Sequence, residues 1–122
     1  MKKQILFCLF VFFFIILLPT HSSNADDFRS KLKGKILLQV ESRGEAWYVN
    51  PDDGKAYYLG RPADAFKIMR ELGLGVSNKD FESWDDKAPI KLSGKILIKV
   101  EDNGRAYYVN PTDLQMHYLG RP

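Results

Sequence analysis

The stretch Lys31-Leu-Lys-Gly-Lys-Ile-Leu-Leu-Gln-Val-Glu41, continuing through Trp47-Tyr48-Val49-Asn50-Pro51 to Tyr57-Tyr58-Leu59-Gly60-Arg61-Pro62, decides the fold, because it returns as residues 91–122 without insertion or deletion. The two copies are identical at twenty of thirty-two positions. Self-similarity at a fixed spacing marks a repeat architecture, in which one supersecondary unit is used more than once. Within each copy, β-branched and aromatic residues form short runs parted by turn residues, which is the pattern of strands. Three strands per copy follow, at 35–41, 45–50 and 55–59, then 95–101, 105–110 and 115–119.

Arg43-Gly44 and Asn103-Gly104 read as two-residue hairpin loops with positive φ. Pro51-Asp52-Asp53-Gly54 supplies a type I turn ending in a left-handed glycine, and Leu114 takes that glycine's place in the second copy. These turns pair Val40 with Trp47 and Leu38 with Val49, then Val49 with Tyr57 and Trp47 with Leu59. The predicted core face is therefore Ile36, Leu38, Val40, Trp47, Val49, Tyr57 and Leu59, with Ile96, Ile98, Val100, Tyr107, Val109, His117 and Leu119 in the second copy. A register slip of one residue would instead turn Trp47 and Tyr107 outward as a stacking site. Matching side chains should be buried in matching places, Ile36 like Ile96.

Between the copies, apolar residues at 65, 68, 69 and 72 lie on one helical face, with Pro62 suited to the first turn and Gly73 to the stop, so an amphipathic helix is expected over about 63–73. Ser77-Asn78-Lys79-Asp80 has capping-box form and opens a short helical turn over about 78–84, carrying Phe81 and Trp84. The expected fold is α+β and mostly β: two three-stranded antiparallel meanders related by a pseudo-two-fold, with one helix to serve both. A bare second sheet would favour a homodimer.

Residues 1–25 read as a secretory signal, because Lys2 and Lys3 precede an apolar run from Ile5 to Leu18 and then small polar residues. Such a run rises roughly 21 Å as a helix against a hydrocarbon core of about 30 Å. Cleavage is expected after Ala25, which makes the chain exported, to a periplasmic, cell-surface or extracellular location. Residues 26–122 then form one compact domain of repeat 1 (31–62), connector (63–90) and repeat 2 (91–122), about 97 residues with a modest core. Without Lys2 and Lys3 the net charge falls from +3 to about +1, which removes the basic balance that nucleic-acid binding would need. Lysines at the start of each copy read as a solubilising edge or, more sharply, as contacts to an anionic envelope polymer.

The motifs Gly34-Lys35-Ile36-Leu37-Leu38-Gln39-Val40-Glu41, Trp47 to Pro51, Tyr57 to Pro62 and Phe66-Lys67-Ile68-Met69-Arg70 through Leu72-Gly73-Leu74-Gly75 resemble a group of bacterial exported repeat modules, found alone or attached to cell-surface and wall-associated proteins. The resemblance covers residues 31–81 and 91–122. It implies an accessory envelope role and brings no catalytic residues with it. A looser likeness, confined to the hairpins, is to the aromatic repeats of choline- and glucan-binding surface proteins.

Catalysis finds little support. Cys8 is the only cysteine and lies in the apolar run, and His117 is the only histidine beyond the signal, so thiol chemistry, zinc sites and nucleophilic triads lack their residues. No cofactor or metal is expected. Asp52-Asp53-Gly54 and Asp85-Asp86 read as turns rather than calcium sites. The candidate ligand-binding set is Glu41, Tyr48, Asn50, Tyr58 and Arg61, repeated as Glu101, Tyr108, Asn110, Tyr118 and Arg121. Paired tyrosines offer flat apolar area with hydroxyl tips, on which sugars and peptides stack. The competing reading packs these tyrosines as a cross-strand pair and uses Asn50 and Asn110 to start turns. The sequence thus points to a non-catalytic module binding a cell-wall or surface glycopolymer or an envelope protein. The alternatives are a partner or inhibitor of an exported enzyme, and an envelope hydrolase built on Glu41 and Glu101.

Overall fold

The computed structural model describes residues 23–41 and 43–120; the signal reading and Arg121 fall outside them, apart from residues 23–25. The described chain is α+β. In order it runs α1 (Ser23–Leu32), β1 (Ile36–Gln39), β2 (Glu45–Val49), β3 (Ala56–Tyr58), α2 (Pro62–Leu72), β4 (Leu74–Val76), α3 (Asn78–Ser83), a 3₁₀ turn (Ile90–Leu92), β5 (Ile96–Lys99), β6 (Arg105–Val109) and β7 (Met116–Tyr118). Helix α1 straddles the expected cleavage point and was not foreseen from the sequence. Among the described residues, no helix is long and apolar enough to cross a membrane.

Strands β1-β2-β3 form an antiparallel sheet, and β4-β5-β6-β7 form a mixed sheet in which β4 joins β5 in parallel. The six strands foreseen are present, and β4 is an addition. Backbone register is the same in both copies: Ile36 faces Tyr48 and Leu37 faces Trp47, as Ile96 faces Tyr108 and Leu97 faces Tyr107. Trp47 pairs with Tyr58 and Tyr48 with Tyr57, matched by Tyr107 with Tyr118 and Tyr108 with His117.

That register corrects the predicted one. Arg43, Gly44, Asn103 and Gly104 all adopt positive φ as expected, but they end a five-residue loop rather than forming a two-residue one. The strand stops at Lys99, whose carbonyl accepts from both Asp102 N–H (3.2 Å) and Gly104 N–H (3.1 Å). Asp102 also pairs with Lys99 (3.5 Å) and Arg105 (3.3 Å), closing the base of the loop through charge. A shift of three residues is odd, so it exchanges the two faces of β1 relative to β2. The predicted core face is thereby divided. Ile36, Leu38, Ala46, Tyr48 and Tyr57 share one face; Leu37, Gln39, Glu45, Trp47, Val49, Ala56 and Tyr58 share the other.

The second turn closes as the first does. Gly54 (φ 67) and Leu114 (φ 64) each donate N–H at 2.8 Å to the carbonyl of Asn50 and Asn110 respectively. Leu114 accepts a left-handed backbone costing about 1 kcal/mol, and its side chain packs on the core beneath the second sheet.

Two apolar clusters hold the molecule. One lies between the second sheet and the connector: Val76, Ala88, Leu92, Leu97 and Val109, with Phe81, Trp84 and Tyr107 against them. The other joins the two copies: Tyr48, Ile96 and Ala106, with Ile68, Met69 and Leu72 of α2 laid over them. Helix α2 thus lies at the seam, against β5 of the second sheet and β3 of the first, and the strand it leaves bare is β1 of the first sheet, not one of the second. Gly73 makes the close approach possible, since a methyl group there would lie 2.5 Å from Ile98 Cγ1.

Burial is not duplicated. Ile96 is 3% exposed and Ile36 39%, because α2 and β4 pack on β5 and no corresponding elements among the described residues pack on β1. The copies share a backbone plan without sharing surroundings.

Candidate functional site

The tyrosine set foreseen as one surface does not assemble. Tyr48 lies inside at 1% exposure, and its hydroxyl donates to the Gly94 carbonyl at 2.8 Å. Tyr108 is half-buried and donates to the Gly34 carbonyl at 2.6 Å. The two bonds are reciprocal between the copies, and Gly34 and Gly94 meet back to back where they cross. A methyl on Gly34 would stand 2.6 Å from Gly94 Cα, and both glycines have positive φ. Burial holds the Tyr48 phenol well above its ordinary pKa, with the charges of Tyr108, Asp52 and Asp53 adding to it. Burial raises the Tyr108 phenol too, helped by Asp113. These phenols fasten one copy to the other and have little surface to give a ligand.

Asn50 is buried and its Oδ1 accepts from Asp52 N–H at 3.3 Å, and Asn110 does the same for Thr112 at 3.1 Å. Both start turns, as the competing reading had it. Beside them, Asp53 accepts from the Lys55 N–H (2.9 Å) and the Tyr57 hydroxyl (2.6 Å), and the Tyr57 bond chiefly holds its carboxyl below the usual range. Glu41 is exposed in the 40–44 loop. Glu101 accepts from Asn78 N–H at 2.9 Å, satisfying a free amide at the start of α3. Arg61 points into solvent and pairs with Asp64 at 3.5 Å as α2 begins. Among the described residues, no group of three or more histidine, cysteine, aspartate or glutamate side chains is placed to hold a metal ion.

Trp47, which the sequence reading placed in the core, instead packs beside Tyr58, a member of the candidate ligand-binding set. Ring centroids lie 5.0 Å apart at 45°, and Tyr58 is 42% exposed. Register puts Gln39 and Glu45 on the same face. The second copy carries the corresponding pair Tyr107–Tyr118 at 5.3 Å, but there Phe81 of α3 packs on Tyr107 at 4.6 Å and Lys99 lies 4.9 Å over the Phe81 ring. Ser77 positions this cover, its Oγ accepting from Asp80 N–H (3.0 Å) and donating to the Asp80 carboxylate (2.8 Å). Among the described residues, nothing plays the part of Phe81 over Trp47. The signal that could have found this pair was the slipped register, which turns Trp47 out of the core as a stacking residue.

Comparison of the chain with protein-family models, with curated proteins and with solved structures found no match.

Proposed function

We propose that the chain is a non-catalytic exported module that binds a cell-envelope glycopolymer, with the Trp47–Tyr58 pair as the surface on which sugar rings stack. The two copies act in this reading as halves of one body about a pseudo-two-fold through the Gly34–Gly94 contact, alike in backbone and specialised in surface. One observation carries the assignment: Phe81 packs on Tyr107 in the second copy, whereas among the described residues no ring other than Tyr58 lies against Trp47 in the first, although the partner tyrosine is exposed in both. A tilted pair of rings offers apolar area to the C–H face of a pyranose, while Gln39 and Glu45 on that face supply a donor and acceptors for hydroxyls.

The test is co-sedimentation of the purified protein with protein-stripped envelope polysaccharide, followed in parallel by tryptophan fluorescence. Trp47→Ala and Tyr58→Ala should each weaken binding about tenfold or more, a loss of roughly 1.4 kcal/mol, with circular dichroism unchanged. Undiminished binding by a folded Trp47→Ala protein would remove the platform from consideration.

A further inference from the structure

The opposite face of the first sheet presents a second surface, independent of the aromatic platform. Ile36, Leu38 and Val40 are 39%, 65% and 84% exposed, an apolar row on the outer strand of a three-stranded sheet. Its counterpart in the second copy, Ile96 and Ile98, lies beneath α2, and the outer edge of β5 is taken by β4, with Val100 N–H donating to Val76 C=O at 3.3 Å. In the first copy Lys35 C=O accepts from Val49 N–H at 2.9 Å, so alternation along β1 turns the amides of Ile36 and Leu38 outward. Among the described residues, none of them is paired on that side.

The vacancy continues into the seam between the copies. A cavity of about 450 Å³ opens there, lined by Lys35, Ile36, Tyr108, Thr112 and His117 among others. Tyr108, whose hydroxyl reaches the Gly34 carbonyl across the seam, is part of its wall. On the filled side, Lys95 pairs with Asp52 at 3.0 Å. There, too, the Tyr57 phenol is raised chiefly by its bond to Asp53, with the charge of Glu71 on α2 contributing as well. On the open side Thr112 and His117 replace Asp52 and Tyr57, leaving Lys35 with no ion pair among the described residues. Lys35 is the cation available there to an acid in the place that Glu71 takes on α2, with Asp113 acting on Tyr108 in the same wall.

We infer that the first repeat is a docking seat for a protein partner's helix–strand segment, an amphipathic helix with an acid in its last turn running through glycine into a short strand. The helix lies across Ile36 and Leu38 as α2 lies across Ile96 and Ile98. The strand pairs in parallel with the outer edge of β1, by strand addition.

The probe is a synthetic peptide of residues 62–76, titrated into the purified protein and followed by amide chemical shifts, with a scrambled peptide as control. Saturable one-to-one binding is expected, with shifts at Ile36, Leu38, Val40 and His117, and Leu38→Asp should weaken it at least tenfold. Trp47→Ala should leave it unchanged, which separates this seat from the sugar platform. The assignment fails if the peptide binds no better than its scramble. It fails equally if shifts fall at Ile98 and Gly73, where the peptide would be exchanging with α2. Self-association along β1, seen in sedimentation and abolished by Leu38→Asp, would give the seat to a second copy and overturn it too.

Discussion

Gly34 and Gly94 show how much one side chain can decide. Both are buried with positive φ, and each lies where the other's backbone leaves no room for a methyl group. Gly34→Ala adds left-handed strain to a backbone clash, neither of which a side-chain rotation can relieve. Chemical denaturation should show a loss of about 3 kcal/mol or more, against about 1 kcal/mol for Gly44→Ala, where the left-handed φ is strained but nothing stands in the way of a methyl group. Tyr48 makes the complementary point. Its phenol ionises less readily in the folded protein than in the unfolded chain, so its stabilising contribution is intact below the unfolded value near 10 and declines as pH rises above it. The denaturation midpoint should therefore fall more steeply above about pH 10 in the native protein than in Tyr48→Phe. That variant should lose about 1 kcal/mol at neutral pH with the bond to Gly94.

Elements were legible where local chemistry alone sets them. Pro62 begins α2, Ser77 caps α3, and the six strands occupy the β-branched and aromatic runs. Pairing was less legible, because it depends on how many residues a loop consumes. Asn103-Gly104 announced positive φ correctly, yet the turn made by Lys99 and Asp102 ahead of it was not visible in an Asn-Gly signal. That one miscount exchanged faces and put Trp47 in the core, so that Tyr58 of the candidate set was matched with Tyr48 rather than with Trp47. Coverage was less legible still: nothing local to α2 says which strands it will lie on. The contrast between covered and bare strands has a direct consequence. Ile98→Asp, beneath α2, should cost about 3 kcal/mol because the charge loses water without gaining a partner. Leu38→Asp, at the matching position, should remain within about 0.5 kcal/mol of the parent in the same denaturation assay.

At the scale of the whole molecule, both strands at the centre of the second sheet are packed, while in the first sheet burial is concentrated in β2 and the outer strand β1 is largely open. Leu97 and Val109 are fully buried, while Leu38 and Val40 stand in water. Local opening follows such differences in buried contacts. Amide hydrogen exchange should accordingly be slowest in β5 and β6 and fastest, among the strands, along β1. Equal protection of β1 and β5 would mean that the cover on the second sheet contributes little. The repeat was plain in the sequence because identity survives at the turns and seam; the unequal covering was not, since it arises from a connector present once among the described residues.

The seam also dictates when the chain can finish folding. The two phenol bonds that clasp the copies join residues 46 and 74 positions apart in sequence. A ribosome delivers Tyr48 long before Gly94, and Gly34 longer still before Tyr108. Through that interval the earlier half holds exposed aromatic and aliphatic side chains with no mate to receive them. Completion of the fold thus waits on Tyr108, and whatever escorts the emerging polypeptide must keep Ile36 and Tyr48 from other company until the second half arrives.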